Sequence, residues 1–174
     1  RPSDMTERPP FIDAHVHLWD LSHIRYPWLM PPFAEDGPNG SVEPIAKNYG
    51  LDDYLADARG WDVRGIVHVD AGADPADALK ETDWLQAMAD ARGMPSAIVA
   101  FAALDDPEGE ALLAAHAERR SVRGIRHIVN WHPNPARTYT PRDVTGDEAI
   151  ALVVLKVQTD ARGNVVRSRT LHGA

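Results

Sequence analysis

Short apolar runs alternate with longer amphipathic stretches along this chain, and the alternation begins at Phe11. Phe11 to Leu18 follows a pair of prolines and predicts a first strand. From Trp19 to about Asn48 there is neither helical nor strand periodicity, and Tyr26, Pro27, Trp28, Pro31, Pro32, Phe33, Pro38 and Pro44 fill the segment. A loop of that length inside a compact domain is usually functional or disordered. Its aromatic residues call for a surface to pack over, which predicts a partial lid across the carboxyl ends of the strands.

After the loop the pattern becomes regular. Leu51, Tyr54, Leu55 and Ala58 share one face of a helix that Gly60 ends. Gly65 to Ala71 is a nearly continuous apolar run, as in a strand buried on both faces. Asp74-Pro75 supplies an N-cap followed by proline at the first helical position. The helix it opens runs to Arg92 and stops at Gly93. The cycle then repeats, with a strand over Ala97 to Leu104, a helix opened by Asp106-Pro107 and running to about Arg120, and a strand over Val122 to Val129. Strands and helices in strict alternation with short connections predict parallel strands joined by right-handed crossovers. Near Pro141 the pattern changes. Aliphatic Glu148 to Thr159, a turn around Gly163 and an alternating Val165 to Leu171 predict an antiparallel hairpin. The expected organisation is therefore a strand–helix domain over residues 1–140 and a divergent tail over 141–174.

Composition narrows the chemistry. A net charge of −8 argues against nucleic-acid binding, which needs a basic face. The chain has no cysteine, so thiolate metal sites and thiol nucleophiles are excluded and any metal must sit on nitrogen and oxygen ligands. No apolar stretch is long enough to span a bilayer, and the polar, proline-rich N-terminus is no secretory signal, which makes the cytoplasm the expected compartment. The chain opens on Arg1, with Met5 its first methionine, as a fragment or conceptual translation would.

His15 and His17 lie two apart on the first strand and so project to the same side. Two imidazoles so placed at a strand's carboxyl end suit one divalent cation. Eight histidines in 174 residues would give roughly 0.4 such pairs by chance. The position of this pair, ending the first strand of a strand–helix series, adds weight.

The segment Phe11-Ile12-Asp13-Ala14-His15-Val16-His17-Leu18-Trp19-Asp20 resembles the opening of the amidohydrolase superfamily. The likeness is to the amidohydrolase-related branch of fuconolactonase-like and pyrone-dicarboxylate-lactonase-like enzymes. Tyr26 to Leu29, Gly65 to Ala71, Gly124 to His127 and Asn130 to Pro133 agree with it in order and spacing. The resemblance implies a TIM (β/α)8-barrel type of α/β fold with its site at the carboxyl ends of the strands. It also implies hydrolysis of a small lactone or related C–O or C–N bond by metal-activated water. His15 and His17 would be metal ligands, for zinc or else manganese, although some lactonases of this branch work without a tightly held metal. Arg126 and His127 fall near the end of the fourth strand on opposite sides. Arg126 suits a substrate carboxylate, or else an ion pair with a neighbouring strand end, and Asp70 at the end of the second strand has similar standing. Trp19 and Trp28 either line a substrate pocket or pack the loop. His68, between valines, is expected in the core, and His116 is expected in solvent.

The sequence departs from the family pattern after the fourth strand. The remaining ligand histidines of such enzymes come from the fifth and sixth strands and a general-base aspartate from the eighth. No such units are recognisable here, and a complete barrel takes about 200 residues or more. Only the first four β/α units are therefore expected, with the catalytic base in a missing half. The rival expectation is a truncated or frameshifted, inactive barrel fragment. Phosphoesterase chemistry on a similar barrel is a third reading. The expected partners are a small-molecule substrate and, through open sheet edges, another copy of the chain.

Overall fold

The computed structural model describes residues 8–33, 40–104 and 106–128, together with the backbone of 155–159 and 165–170. Glu35, Asp36, Asp105, the stretch 130–133, the expected boundary near 140 and the aliphatic residues 148–154 lie outside the described residues. Four strands, β1 (Phe11–Val16), β2 (Val63–Val69), β3 (Ala97–Phe101) and β4 (Val122–Arg126), form one sheet in the order β1-β2-β3-β4. Every neighbouring pair is parallel. Three helices alternate with them: α1 (Leu51–Asp57), α2 (Ala78–Arg92) and α3 (Gly109–Ala117). Strands taken in chain order with parallel pairing are what a run of like-handed crossovers produces, and a segment of a β/α barrel has this layout. A separate antiparallel pair, β5 (Leu155–Thr159) with β6 (Val165–Thr170), corresponds to the hairpin expected from the tail. Among the described residues no helix is long and apolar enough to cross a membrane.

The helices build the core on one face of the sheet. Val16, Leu18, Ile66, Ile98 and Ala100 meet Leu51, Tyr54 and Leu55 of α1 and Trp84, Leu85 and Met88 of α2. In α2 the buried positions Ala78, Glu81, Thr82, Leu85 and Ala89 follow helical spacing. Gly93 closes that helix at φ 74°, donating its N–H to Ala89 O at 2.9 Å, a left-handed cap that a residue with a Cβ adopts only under strain. Asp74 caps a single 3-10 turn over Pro75–Asp77, and the α-helix proper starts at Ala78. The second Asp-Pro start is similar: Asp106 accepts from the Glu108 N–H at 2.9 Å, and α3 begins at Gly109.

Two features depart from the simple pattern. In β1, Asp13 pairs with Ile66 and Val16 with His68, so β1 carries one residue more than β2 over this interval. That bulge keeps Asp13 on the helix side, where Tyr54 donates to it at 2.9 Å, and keeps Val16 and Leu18 there too. His15 and His17 turn to the other face. His116, expected in solvent, is instead buried at 1% exposure. Its Nε2 bonds Phe101 O at 2.9 Å and its Nδ1 lies 3.1 Å from the Thr82 hydroxyl, so it joins α3 to β3 and α2. Its two polar partners offset its desolvation.

The long loop packs where β2 ends. Its base is closed by Trp19 and Tyr49, which exchange backbone bonds of 2.9 and 3.1 Å. Ile24, Tyr26 and Leu29 bury against Ala71 and Ala73, just past the carboxyl end of β2.

Candidate active site

His17 follows directly on β1, and its ring is held by the adjacent strand: Nδ1 lies 2.7 Å from Val69 O. A carbonyl oxygen only accepts, so Nδ1 carries the proton and Nε2 keeps its lone pair. The Nε2 atoms of His15 and His17 are 3.1 Å apart. Two nitrogens bound to one cation at about 2.0–2.1 Å, with tetrahedral or cis-octahedral angles, lie about 2.8–3.4 Å apart. The pair thus fits a shared divalent ion, and the Val69 bond supplies the outer-shell orientation such ligands commonly have. Burial lowers the pKa of His17 below 6.5, opposed by the Val69 bond and aided by the charges of His15, His68 and Arg126. His17 is therefore neutral near pH 7, the form that binds metal.

Asp70 and Arg126 meet beside this pair. Arg126 Nη1 donates to the Asp70 main-chain oxygen at 2.8 Å and lies 3.9 Å from Asp70 Oδ2. The Asp70 side chain is buried, and burial followed by the charge of Glu81 raises its pKa to about 6. Trp28 Nε1 donates to Ala71 O at 2.7 Å, which brings a half-exposed indole to the same end of the sheet. Trp19 turns into the loop, bonding Lys47 O at 2.6 Å and packing edge-on to Trp28 and against Tyr49. His127 lies apart, its Nδ1 accepting from Leu104 N at 3.2 Å and its ring edge-on to Phe101. The structure thus gathers His15, His17, Asp70, Arg126 and Trp28 at one end of the sheet, with Trp19 one ring behind and His127 on the β3–α3 side.

Sequence reasoning missed Tyr26 and Glu81. Both are fully buried with His68, beneath the histidine pair. A signal existed for Glu81, the one acidic residue at a buried position of α2's apolar spacing. A concavity of about 380 Å³, lined by Gly93, Pro95, Ser96, Arg120, Ser121 and Arg123, opens at the opposite, amino ends of β3 and β4. Its Arg120 is already paired with Asp90 at 2.6 Å, so it is not read as the site.

A parallel sheet with an imidazole pair at the carboxyl end of its first strand and an arginine at that of its fourth is an α/β arrangement suited to hydrolytic chemistry. The amidohydrolase family model matches residues 12–154, and the chain belongs to that family. "Uncharacterized protein y4mH" of Sinorhizobium fredii is 41% identical over 128 residues, covering 74% of this chain and 43% of that relative. The chain therefore aligns with less than half the length of the curated relative it matches. No solved structure matches it.

Proposed function

We propose that the protein is a metal-dependent hydrolase of the lactonase-like kind, acting on a small lactone that carries a carboxylate or derives from a sugar. The observation that carries the reading is the 3.1 Å separation of two imidazole nitrogens at a strand's carboxyl end, within an amidohydrolase family domain. A zinc or manganese ion held by His15 and His17 would polarise the scissile carbonyl and make water more acidic. His17 is kept in the ligating tautomer by Val69, and His15 completes the pair. Arg126 offers guanidinium N–H groups beyond the one spent on Asp70, enough to orient a substrate carboxylate. Trp28 shields the site from the loop side. A TIM-barrel continuation of the sheet and self-association through β1 and β4, its outer strands, belong to the same proposal. So do the third ligand and the general base, supplied from beyond the described residues.

A second reading, metal or partner binding without turnover, is favoured by one observation. Among the described residues no group of three or more His, Asp or Glu converges as a metal site, whereas catalytic zinc usually has three protein ligands. Turnover of a panel of lactones and a phosphodiester by the purified protein, with zinc or manganese, separates these readings. Lactone hydrolysis lost on chelation and in His15→Ala supports the first. Metal binding without any turnover supports the second, and turnover indifferent to both treatments contradicts the metal reading.

A further inference from the structure

Beneath the histidine pair lies a set of polar atoms that the proposed reaction does not use. Tyr26 Oη, His68 Nε2 and Glu81 Oε1 are buried, and among the described residues none has a hydrogen-bond partner. The side chains come from the loop, from β2 and from α2, and each is at most 1% exposed. His68 Nε2 lies 3.9 Å from Glu81 Oε2, beyond hydrogen-bond range but close for two buried polar groups. Glu81 is also near enough to Tyr26 for its charge, after burial itself, to push the phenol's pKa upward. Unsatisfied buried polar atoms are rare in folded proteins, and three converging from three elements call for an explanation. One ordered water bonded to all three would satisfy them.

The other side of His68 supplies the consequence. Its Nδ1 accepts the Leu18 N–H at 3.2 Å. Leu18 follows His17 directly, past the end of β1, and its N–H is buried. Only the tautomer protonated on Nε2 leaves Nδ1 free to accept that bond, and the proton then points at Glu81. An acceptor on the α2 side thus selects the tautomer that pins the backbone next to His17. We propose that Glu81, acting through His68, is a positioning residue for the His15–His17 pair, with Tyr26 tying the loop into the same link. The inference rests on the reading of that pair as the metal-holding group.

The test combines two measurements on the purified protein: the tautomer of His68 by nitrogen NMR without metal, and the affinity for Co(II) with its absorption bands. Removing an outer-shell partner of a metal ligand typically weakens binding about 10- to 100-fold. Glu81→Leu is expected to mix the His68 tautomers, weaken cobalt about tenfold and alter its bands. Glu81→Gln, which keeps an acceptor, should restore both readouts. Val122→Ala, a core change at the amino end of β4 and two strands from β2, should lower stability while leaving tautomer and cobalt as in the parent protein. Should Glu81→Leu fail to fold, Glu81→Asp carries the test, because it withdraws the acceptor by one methylene; a loss of roughly threefold is then expected. Parent-like tautomer and affinity in the Leu or Asp variant overturn the proposal, as do equal losses in Val122→Ala. If the parent protein takes up no cobalt while the tautomer still answers to Glu81, the metal reading fails and the positioning link stands.

Discussion

Arg126 reaches across from β4 to β2, donating to the Asp70 main-chain oxygen at 2.8 Å while its guanidinium stays 3.9 Å from the Asp70 carboxylate. Burial and the charge of Glu81 outweigh this long ion pair, and the carboxyl pKa stands at about 6, above the ordinary 3.8. A pKa raised by folding adds stability that is fully present below the unfolded value and is lost as pH rises through the folded one. Asp70→Asn is therefore expected to be more stable than the parent protein at pH 7.5, by roughly 1–3 kcal/mol. The gain should shrink as pH falls from about 6 toward 4. Urea unfolding across that range checks it, and an equal or lower midpoint for the variant at pH 7.5 would contradict it.

The indole of Trp28 holds the loop to the strand end through Ala71 O, and it fills the space beside Gly72. A Cβ on Gly72 would lie 3.1 Å from Trp28 Nε1, on a backbone at φ 77°. Gly72→Ala is expected to displace the indole and to lower stability by about 1–2 kcal/mol. Trp28→Phe keeps the packing and loses the hydrogen bond, at about 1 kcal/mol. Both should quicken proteolysis within residues 19–48, and unchanged cleavage would show that Trp28 does not anchor the loop.

His116 gives the protein an acid limit. Burial, chiefly, holds its pKa below 6.5 in the folded state. For a base so depressed, the unfolded chain takes up the proton first. Its contribution to stability is therefore full above pH 6.5 and declines as pH falls below it. His17 is shifted in the same direction and adds to the effect. Asp70 acts in the opposite sense over the same window, so the check is the difference between the two proteins: from pH 7.5 to 5.5 the denaturation midpoint of His116→Gln should rise relative to that of the parent protein. Parallel pH profiles for variant and parent would remove His116 from the account.

Leu85 is fully buried where α2 meets β1, β2 and β3. Leu85→Ala should cost about 2–5 kcal/mol, the usual range for a cavity in a close-packed core. A loss under about 1 kcal/mol in chemical denaturation would mean the helix–sheet core is looser than described.

The strand–helix cycle was legible because each element buries one stripe or face, and the Asp-Pro starts and Gly93 stop mark its edges. The His15–His17 side was legible because a two-residue period puts both on one face. Other features were not, because they depend on long-range contacts. The β1 bulge arises from pairing with β2, and nothing in Phe11 to Leu18 signals the extra residue. His116 looks solvated among small and charged neighbours, and its burial comes from Thr82 and the Phe101 carbonyl, 34 and 15 residues away. Glu81 was hidden by its charge, since an acidic residue on a helix usually faces water.

The central claim is that His15 and His17 together hold a divalent metal. Titrating zinc into the protein labelled with nitrogen-15 at histidine tests it without requiring turnover. The account predicts that the Nε2 resonances of His15 and His17 move first and together, and that the response disappears in His15→Ala and His17→Ala. Zinc that perturbs His23 or His127 first, leaving His15 and His17 unmoved, would contradict it.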